Sequence, residues 1–273
     1  MPEAGVGRRS VADVLSRAAA VLADAGSDTP RLDAELLLAS ALDVDRARLV
    51  MDAHAEVPED LLARFGGLVA RREAHEPVAY ILGRRDFRRI TLTVDRRVLI
   101  PRPETELLVE VGLTLPRGCS VVDVGTGSGA VALALKDERP DLSVWATDVD
   151  SGALSVAREN GIRLGLDVSF VQADLLSGLD RSFDAVLANL PYVAEGSSLP
   201  PDIGYEPDLA LFGGPDGLDP VRRLLPMVAG VPLVALEVGL AEAAASLFQD
   251  AGFRSVERLR DLAGHERVVV GRR

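Results

Sequence analysis

The sequence predicts an α/β protein: a doubly wound, seven-stranded sheet that finishes in an antiparallel hairpin and follows a small helical N-terminal domain. Three observations predict it. Beyond Pro103, short apolar runs alternate with amphipathic stretches, the pattern of a parallel sheet covered on both faces. Before Pro77, glycine and proline are sparse and apolar residues recur at helical spacing, with no internal repeat. The chain has 273 residues, 48% hydrophobic and 26% charged, enough to bury a sizeable core and too apolar for wholesale disorder.

The elements follow in order. Ser10 and Asp13 fit a capping box ahead of Val11, Val14, Leu15 and Leu22, with Gly26 as the stop. Thr29 before Pro30 supplies an N-cap and an N1 proline for Leu32, Leu36 and Leu37. Pro58 opens a third stretch carrying Leu61, Leu62, Phe65, Leu68 and Val69, which must end before Pro77. Residues 1–76 are therefore expected to form a helical bundle. From Tyr80 to Ile100 the period changes, and Phe87, Ile90, Leu92 and Val94 predict a short β-hairpin within a linker over 77–102. That segment holds seven arginines (84, 85, 88, 89, 96, 97 and 102) against Asp86 and Asp95, a local +5 that reads either as a solvated hairpin face or as a docking patch for an anionic partner. Residues 103–273 carry the sheet. Strands are expected at Ser120–Val124, Ser143–Thr147, Val168–Val171, Phe183–Ala188 and Pro232–Glu237. Helices are expected near Glu104–Leu115, Ala130–Asp137, Ser151–Arg163, Pro220–Val228 and Ala241–Asp250. Arg254–Arg260 and Arg267–Val270, around Gly264, form the closing antiparallel hairpin.

Composition excludes several classes of function. The formal net charge is −12, a poor match to a broad phosphate-gripping face, so no stable nucleic-acid partner is expected. Cys119 is the only cysteine, which excludes an internal disulfide and a cysteine-based zinc site. His54, His75 and His265 lie far apart and form no HExxH pair, so no structural metal is expected. No apolar run reaches the roughly 18 residues of a membrane span, and Met1–Ser10 lacks the apolar core of a signal peptide. The expectation is a soluble, cytoplasmic protein with no membrane partner.

The first chemical signal is Val121-Val122-Asp123-Val124 running into Gly125-Thr126-Gly127-Ser128-Gly129 and a helix. A strand, glycine turn and helix bring backbone close to a ligand at a helix N-terminus. The second strand ends at Asp148, nineteen residues beyond Gly129, where a carboxylate can accept both hydroxyls of a ribose. At the third strand end, Asp174 suits an adenine amino group and Leu175 its ring. Asp123 either serves a ligand's ammonium or caps the turn. Nicotinamide and S-adenosyl-L-methionine compete for this nucleoside site. The spacing G-x-G-x-G, tighter than the dinucleotide fingerprint, favours S-adenosyl-L-methionine, with S-adenosyl-L-homocysteine as product.

The second signal follows the fourth strand: Asn189-Leu190-Pro191-Tyr192. Methylating a planar amide or aromatic amine is hard because the nitrogen lone pair is delocalised. The Asn189 side-chain carbonyl can accept one N–H and the Leu190 backbone carbonyl the other, turning the lone pair toward the methyl carbon and drawing off positive charge. Pro191 keeps Leu190 extended, and Tyr192 can stack on a flat substrate. The plain alternative is an Asn-Pro turn closing a strand.

These blocks resemble the release factor glutamine methyltransferases. The match is carried by Pro77-Val78-Ala79-Tyr80-Ile81-Leu82-Gly83 with Phe87, by Val98 through Pro101-Arg102-Pro103-Glu104-Thr105-Glu106, by the Asp123–Gly129 loop, and by Tyr205-Glu206-Pro207 through Gly214-Pro215-Asp216-Gly217-Leu218. The resemblance spans essentially the whole chain. It implies a class I S-adenosylmethionine-dependent methyltransferase sheet and methyl transfer to the side-chain nitrogen of the glutamine in the Gly-Gly-Gln motif of peptide chain release factors. It also implies a helical N-terminal domain that binds the release factor. Glu206 then either orients the glutamine or caps its loop. The family's Asn-Pro-Pro-Tyr is Asn-Leu-Pro-Tyr here, which is similar to the motif of adenine dimethyltransferases acting on ribosomal RNA. A methyltransferase for an adenine amino group of RNA or DNA is thus the rival reading, and a binding protein without turnover is a third. Residues 1–80 carry nine basic and fourteen acidic side chains, which would complement a basic partner surface.

Overall fold

The computed structural model describes residues 9–273 in two compact units; the first eight residues of the expected bundle lie outside the described residues. The helical unit takes in the chain to Gly83 together with Pro200–Tyr205. Its helices are α1 (Val11–Asp24), α2 (Pro30–Leu42), α3 (Arg46–Met51), α4 (Glu59–Glu73) and α5 (Val78–Leu82). The Ser10 hydroxyl accepts from Asp13 N at 3.2 Å and donates to its carboxylate at 2.6 Å, closing the box at the start of α1. Val14, Leu15, Leu22, Leu37, Leu38 and Phe65 fill one apolar core. Between α2 and α4 the Arg72 guanidinium meets Asp33 at 2.8 Å, with both side chains largely buried, and the Ser27 and Thr29 hydroxyls complete the carboxylate. Two details depart from expectation. Asp45 caps α3, a single short helix whose six residues carry no legible period. Tyr80–Leu82 are helical rather than part of the hairpin, because Pro77 starts a turn of helix that Gly83 ends in the left-handed region.

The second unit begins with the hairpin β1 (Arg84–Phe87) and β2 (Ile90–Thr93). A 3-10 turn at Pro103–Thr105 leads into α6 (Glu106–Leu113), followed by β3 (Ser120–Val124), α7 (Ala130–Glu138), β4 (Ser143–Asp148), α8 (Ser151–Leu164), β5 (Ser169–Gln172) and β6 (Ala185–Asn189). Then come the short α9 (Asp208–Leu211), α10 (Asp219–Met227), β7 (Leu233–Glu237), α11 (Ala241–Asp250), β8 (Ser255–Arg260) and β9 (Glu266–Arg272). Among the described residues seven strands form one sheet in the order β5-β4-β3-β6-β7-β9-β8. The first five are parallel, β9 pairs antiparallel with β7, and β8 pairs antiparallel with β9 at the edge.

Alternation along the strands covers both faces. Val122, Val124, Val186 and Ala188 share a core with Leu224 of α10 and Phe248 of α11. Leu187 points the other way, where Gly112 of α6 lies against Leu187 and Leu135 of α7. The chain winds outward from β3 through β4 to β5, then returns to place β6 on the other side of β3. That reversal sets the ends of β3 and β6 side by side, Val124 opposite Ala188, and such a switch point opens a crevice at the strand ends.

The arginine-rich segment is largely spent inside this unit. Arg88 pairs with Glu138 at 2.5 Å, Arg97 with Asp95 at 2.6 Å, Arg85 donates to the Pro101 carbonyl at 3.2 Å, and Arg102 pairs with Glu206. These pairings fit the solvated-face reading better than a docking patch.

Candidate active site

One cavity opens over the ends of β3, β4, β5 and β6. Asp123, Gly125, Thr126, Gly127, Ser128, Asp148, Asp174, Leu175, Asn189, Leu190 and Pro191 all line it. Sequence-predicted residues from four strand ends thus meet in one place. Gly129, Tyr192 and Glu206 do not line it. Gly129 stands at φ +86°, and a Cβ there would lie 2.8 Å from Leu133 and 3.3 Å from Ala157, so its glycine serves the turn and the packing of α7.

The glycine loop is held by the neighbouring strand: Gly125 N and Thr126 N both donate to the Thr147 carbonyl at 2.9 Å. Gly127 N donates to Asp148 Oδ2 at 2.9 Å, and Asp150 N donates to Asp148 Oδ1 at 3.0 Å. A loop N–H that would cradle phosphate in a dinucleotide site is here committed to a carboxylate. Asp123 Oδ2 accepts the Thr126 hydroxyl at 2.6 Å and Ala132 N at 3.2 Å. It therefore caps the turn while lining the cavity. Burial pushes its pKa up to about 7, against the pull of those two hydrogen bonds. Burial also raises Asp148. Of the arginines on the rim, Arg97 is tied to Asp95 and Arg223 to Asp174 at 2.5 Å. Among the described residues, buried acceptors whose neighbouring arginines are already paired fit a ligand with hydroxyl donors and a positive tail, not a pyrophosphate. Leu175 holds φ +56°, a strained value for a branched side chain, and the Thr147 hydroxyl fixes its carbonyl at 2.9 Å.

Asn189 ends β6 with Glu237 of β7 as its register partner. Its Nδ2 donates to Thr105 Oγ1 at 3.1 Å. Tyr192 turns beneath the loop, its hydroxyl 3.4 Å from Glu237 Oε1, and burial with the nearby Glu237 charge pushes its pKa up to about 12. Leu190, where the family has proline, is 5% exposed, belongs to the sheet core and lies over Gly125. The backbone of this loop rests on the glycine-rich segment after α9. Val193 N donates to Leu211 O and Gly213 N to Val193 O, both at 2.9 Å. Gly217, at φ +76°, is so close that a Cβ would fall 2.1 Å from the Tyr192 carbonyl. Part of this glycine-rich segment is thus the support of the loop. Glu206 accepts Ile100 N at 2.9 Å and pairs with Arg102, the arrangement of a loop cap.

Sequence reasoning missed three polar side chains. Thr105 lay inside the Pro101–Glu106 block without a role. Glu237 ended an apolar strand. Asn160, fully buried in α8, accepts from Thr93 N and donates to Thr93 O and Ser128 O at 2.8–3.0 Å, tying the hairpin to the glycine loop. Its signal was available: asparagine is disfavoured in a helix interior unless its side chain has work elsewhere. Among the described residues no cluster of His, Cys, Asp and Glu is arranged to hold a metal ion, and no helix is long and apolar enough to cross a membrane.

Comparison with known proteins gives the same picture. The PrmC N-terminal domain family matches residues 13–83 and the methyltransferase small domain family residues 103–203. A Deinococcus radiodurans protein named release factor glutamine methyltransferase is 39% identical over 272 residues, covering 96% of this chain and 98% of that one. A protein of the same name from Caulobacter vibrioides is 40% identical over 265 residues, covering 92% of each. A crystal structure of a methyltransferase from Pyrococcus furiosus superposes with a TM-score of 0.51 at 21% identity over 66% of this chain and 87% of that chain, a likeness of fold.

Proposed function

The chain belongs to the release factor glutamine methyltransferase family, and from that premise we propose that it transfers a methyl group from S-adenosyl-L-methionine to the side-chain amide nitrogen of the glutamine in the Gly-Gly-Gln motif of peptide chain release factors. The observation that carries this reading is that Asn189 lines the same cavity as Asp123, Asp148 and Asp174, at the point where the strand order reverses.

The cofactor supplies a sulfonium-bound methyl carbon that is already electrophilic, and its product is S-adenosyl-L-homocysteine. The residues do the rest. Asp148 accepts the ribose hydroxyls with the lone pairs that Gly127 and Asp150 leave, Asp174 and Leu175 take the adenine, and Asp123 faces the cationic tail. Asn189 Oδ1 and the Leu190 carbonyl each accept one N–H of the substrate amide. That geometry would aim the nitrogen lone pair at the methyl carbon of a bound donor and stabilise the positive charge that builds on nitrogen as N–C forms and the S–CH3 bond breaks, its electron pair passing to sulfur. The nitrogen becomes acidic once alkylated, so its proton leaves to water. Pro191 shapes the mouth through which a flat carboxamide enters, and Tyr192 supports the loop from beneath through its hydroxyl on Glu237. Leu190 contributes only its backbone carbonyl, so leucine in place of proline keeps the chemistry.

The helical unit is the release-factor recognition element in this reading, its acidic balance complementing a basic partner. Glu138 and Glu206, the partners of Arg88 and Arg102, cut the local +5 to +3, and Arg85 and Arg97 are held within the segment, which speaks for a protein substrate over an adenine in nucleic acid. The protein would act in the cytoplasm. The test is the intact mass of a purified release factor after incubation with enzyme and cofactor. A one-methyl gain is expected, and an unchanged mass with cofactor demonstrably bound would overturn the assignment.

A further inference from the structure

An asparagine amide is nearly symmetric in shape, so only its hydrogen-bond partners decide whether the carbonyl or the NH2 faces a ligand. In this site that decision matters, because a substrate N–H needs an acceptor. Asn189 Nδ2 donates to Thr105 Oγ1 at 3.1 Å. The Thr105 hydroxyl lies close enough to the Glu237 carboxylate to pull down the pKa of an acid that burial raises. Thr105 is 4% and Glu237 2% exposed. Tyr192 donates to Glu237 Oε1, while Glu237 Oε2 is buried with no partner of hydrogen-bonding geometry.

The fold explains why these groups meet. Along β7, Val234 and Leu236 belong to the core on one face, so Glu237 points to the other, beside its register partner Asn189. The Pro103–Thr105 turn delivers Thr105 to this same face at the entrance of α6. A glutamate at the end of an otherwise apolar, fully buried strand costs desolvation, and nothing in the packing of the sheet calls for it.

We propose that Thr105 and Glu237 are positioning residues that fix the amide of Asn189, so that its carbonyl and not its NH2 faces the substrate nitrogen. The polarity of the chain follows from the donor inventory. Above its pKa of about 7 Glu237 is ionised and only accepts, so Thr105 turns its single proton toward it. Its oxygen then has only lone pairs to offer Asn189, which must present Nδ2 to it and Oδ1 to the cavity. A glutamine at 237 can donate instead, freeing the Thr105 proton to bond an inverted Asn189. The charged and titratable groups that face Glu237 are Glu104 from the turn, Tyr192 from the loop and Arg267 from β9. The inference rests on the methyl-transfer reading of the site, and its test is chosen to separate the two.

The experiment compares wild type, Thr105→Ser, Thr105→Val and Glu237→Gln. Each is assayed for kcat and KM on a Gly-Gly-Gln fragment of a release factor, for S-adenosyl-L-homocysteine affinity, and for the side-chain NH2 resonance of Asn189 in a 15N-labelled sample, assigned by its loss in Asn189→Ala. Thr105→Val and Glu237→Gln should lose roughly 10- to 100-fold in kcat, the usual toll of removing an orienting partner, with product affinity within a few-fold of wild type. In Thr105→Val the shifted, exchange-protected Asn189 signal should revert to that of a solvated amide, and Thr105→Ser should restore both signal and turnover. Wild-type kcat in Thr105→Val and Glu237→Gln, or equal losses in Ser and Val, overturns the proposal. A wild-type enzyme that binds product yet methylates no glutamine overturns the functional reading instead, and the resonance alone then decides the orientation of Asn189.

Discussion

Lowering the pH below 7 should weaken cofactor binding through Asp123. Its carboxyl lies buried at the end of β3 with a pKa of about 7, so at pH 6 about one molecule in ten carries the charge that a cationic tail requires, against about nine in ten at pH 8. Binding draws the group to its ionised form, so the complex holds fewer protons than the free enzyme and affinity rises with pH. The dissociation constant should tighten roughly tenfold between pH 6 and pH 8, about 1.4 kcal/mol, and level off above that. Asp123→Asn should bind roughly 10- to 100-fold more weakly at pH 8, since a charge-assisted hydrogen bond is lost, and the residual affinity should be nearly flat from pH 6 to 8. Titration calorimetry with S-adenosyl-L-homocysteine in two buffers of different ionisation enthalpy measures both the affinity and the protons released. A dissociation constant independent of pH, with no proton release near pH 7, would refute the reasoning.

Three further outcomes follow from the same structure. Glu237 has a folded pKa of about 7 against an ordinary 4.5; the stability it contributes is full below the ordinary value and is lost as pH rises through 7. Urea unfolding of wild type and Glu237→Gln should therefore shift in favour of glutamine by about 3 kcal/mol between pH 4 and pH 8.5; a constant gap contradicts it. Gly217→Ala sets a Cβ against the Tyr192 carbonyl, 2.1 Å away at φ +76°, and should cut methyl transfer roughly 100-fold by displacing the loop while cofactor affinity, measured in parallel, changes little. Asn160→Leu leaves Thr93 N without its 2.8 Å partner and frees the Ser128 carbonyl; thermal unfolding should report a loss of roughly 3 kcal/mol, and an unchanged melting temperature would show that water replaces the amide.

Much of this was legible in the chain because local signals and tertiary use coincide. The glycine loop, Asp148 and Asp174 sit where a parallel strand must end, and each end of a parallel strand opens on the same edge of the sheet. Asn189 stood out because a polar residue, a proline and an aromatic at a strand end have no packing reason to occur together. What stayed hidden depends on pairings far apart in sequence. Nothing near Arg88 announces Glu138, and nothing near Thr105 announces Glu237 or Asn189, so the charge run looked free and the threonine idle. Gly213 and Gly217 read as loop punctuation; only the Pro191–Tyr192 backbone lying against them shows that they carry the reactive loop. Tyr80 misled for a smaller reason, since a five-residue helix between Pro77 and Gly83 is too short to display its period.

The most direct measurement is fragmentation mass spectrometry of a release factor methylated by the purified enzyme, run beside Asn189→Ala. The added methyl should fall on the side-chain nitrogen of the Gly-Gly-Gln glutamine and vanish in the variant while cofactor binding survives. A methyl on any other atom, or one that persists at full yield in Asn189→Ala, would contradict the role given to that carbonyl.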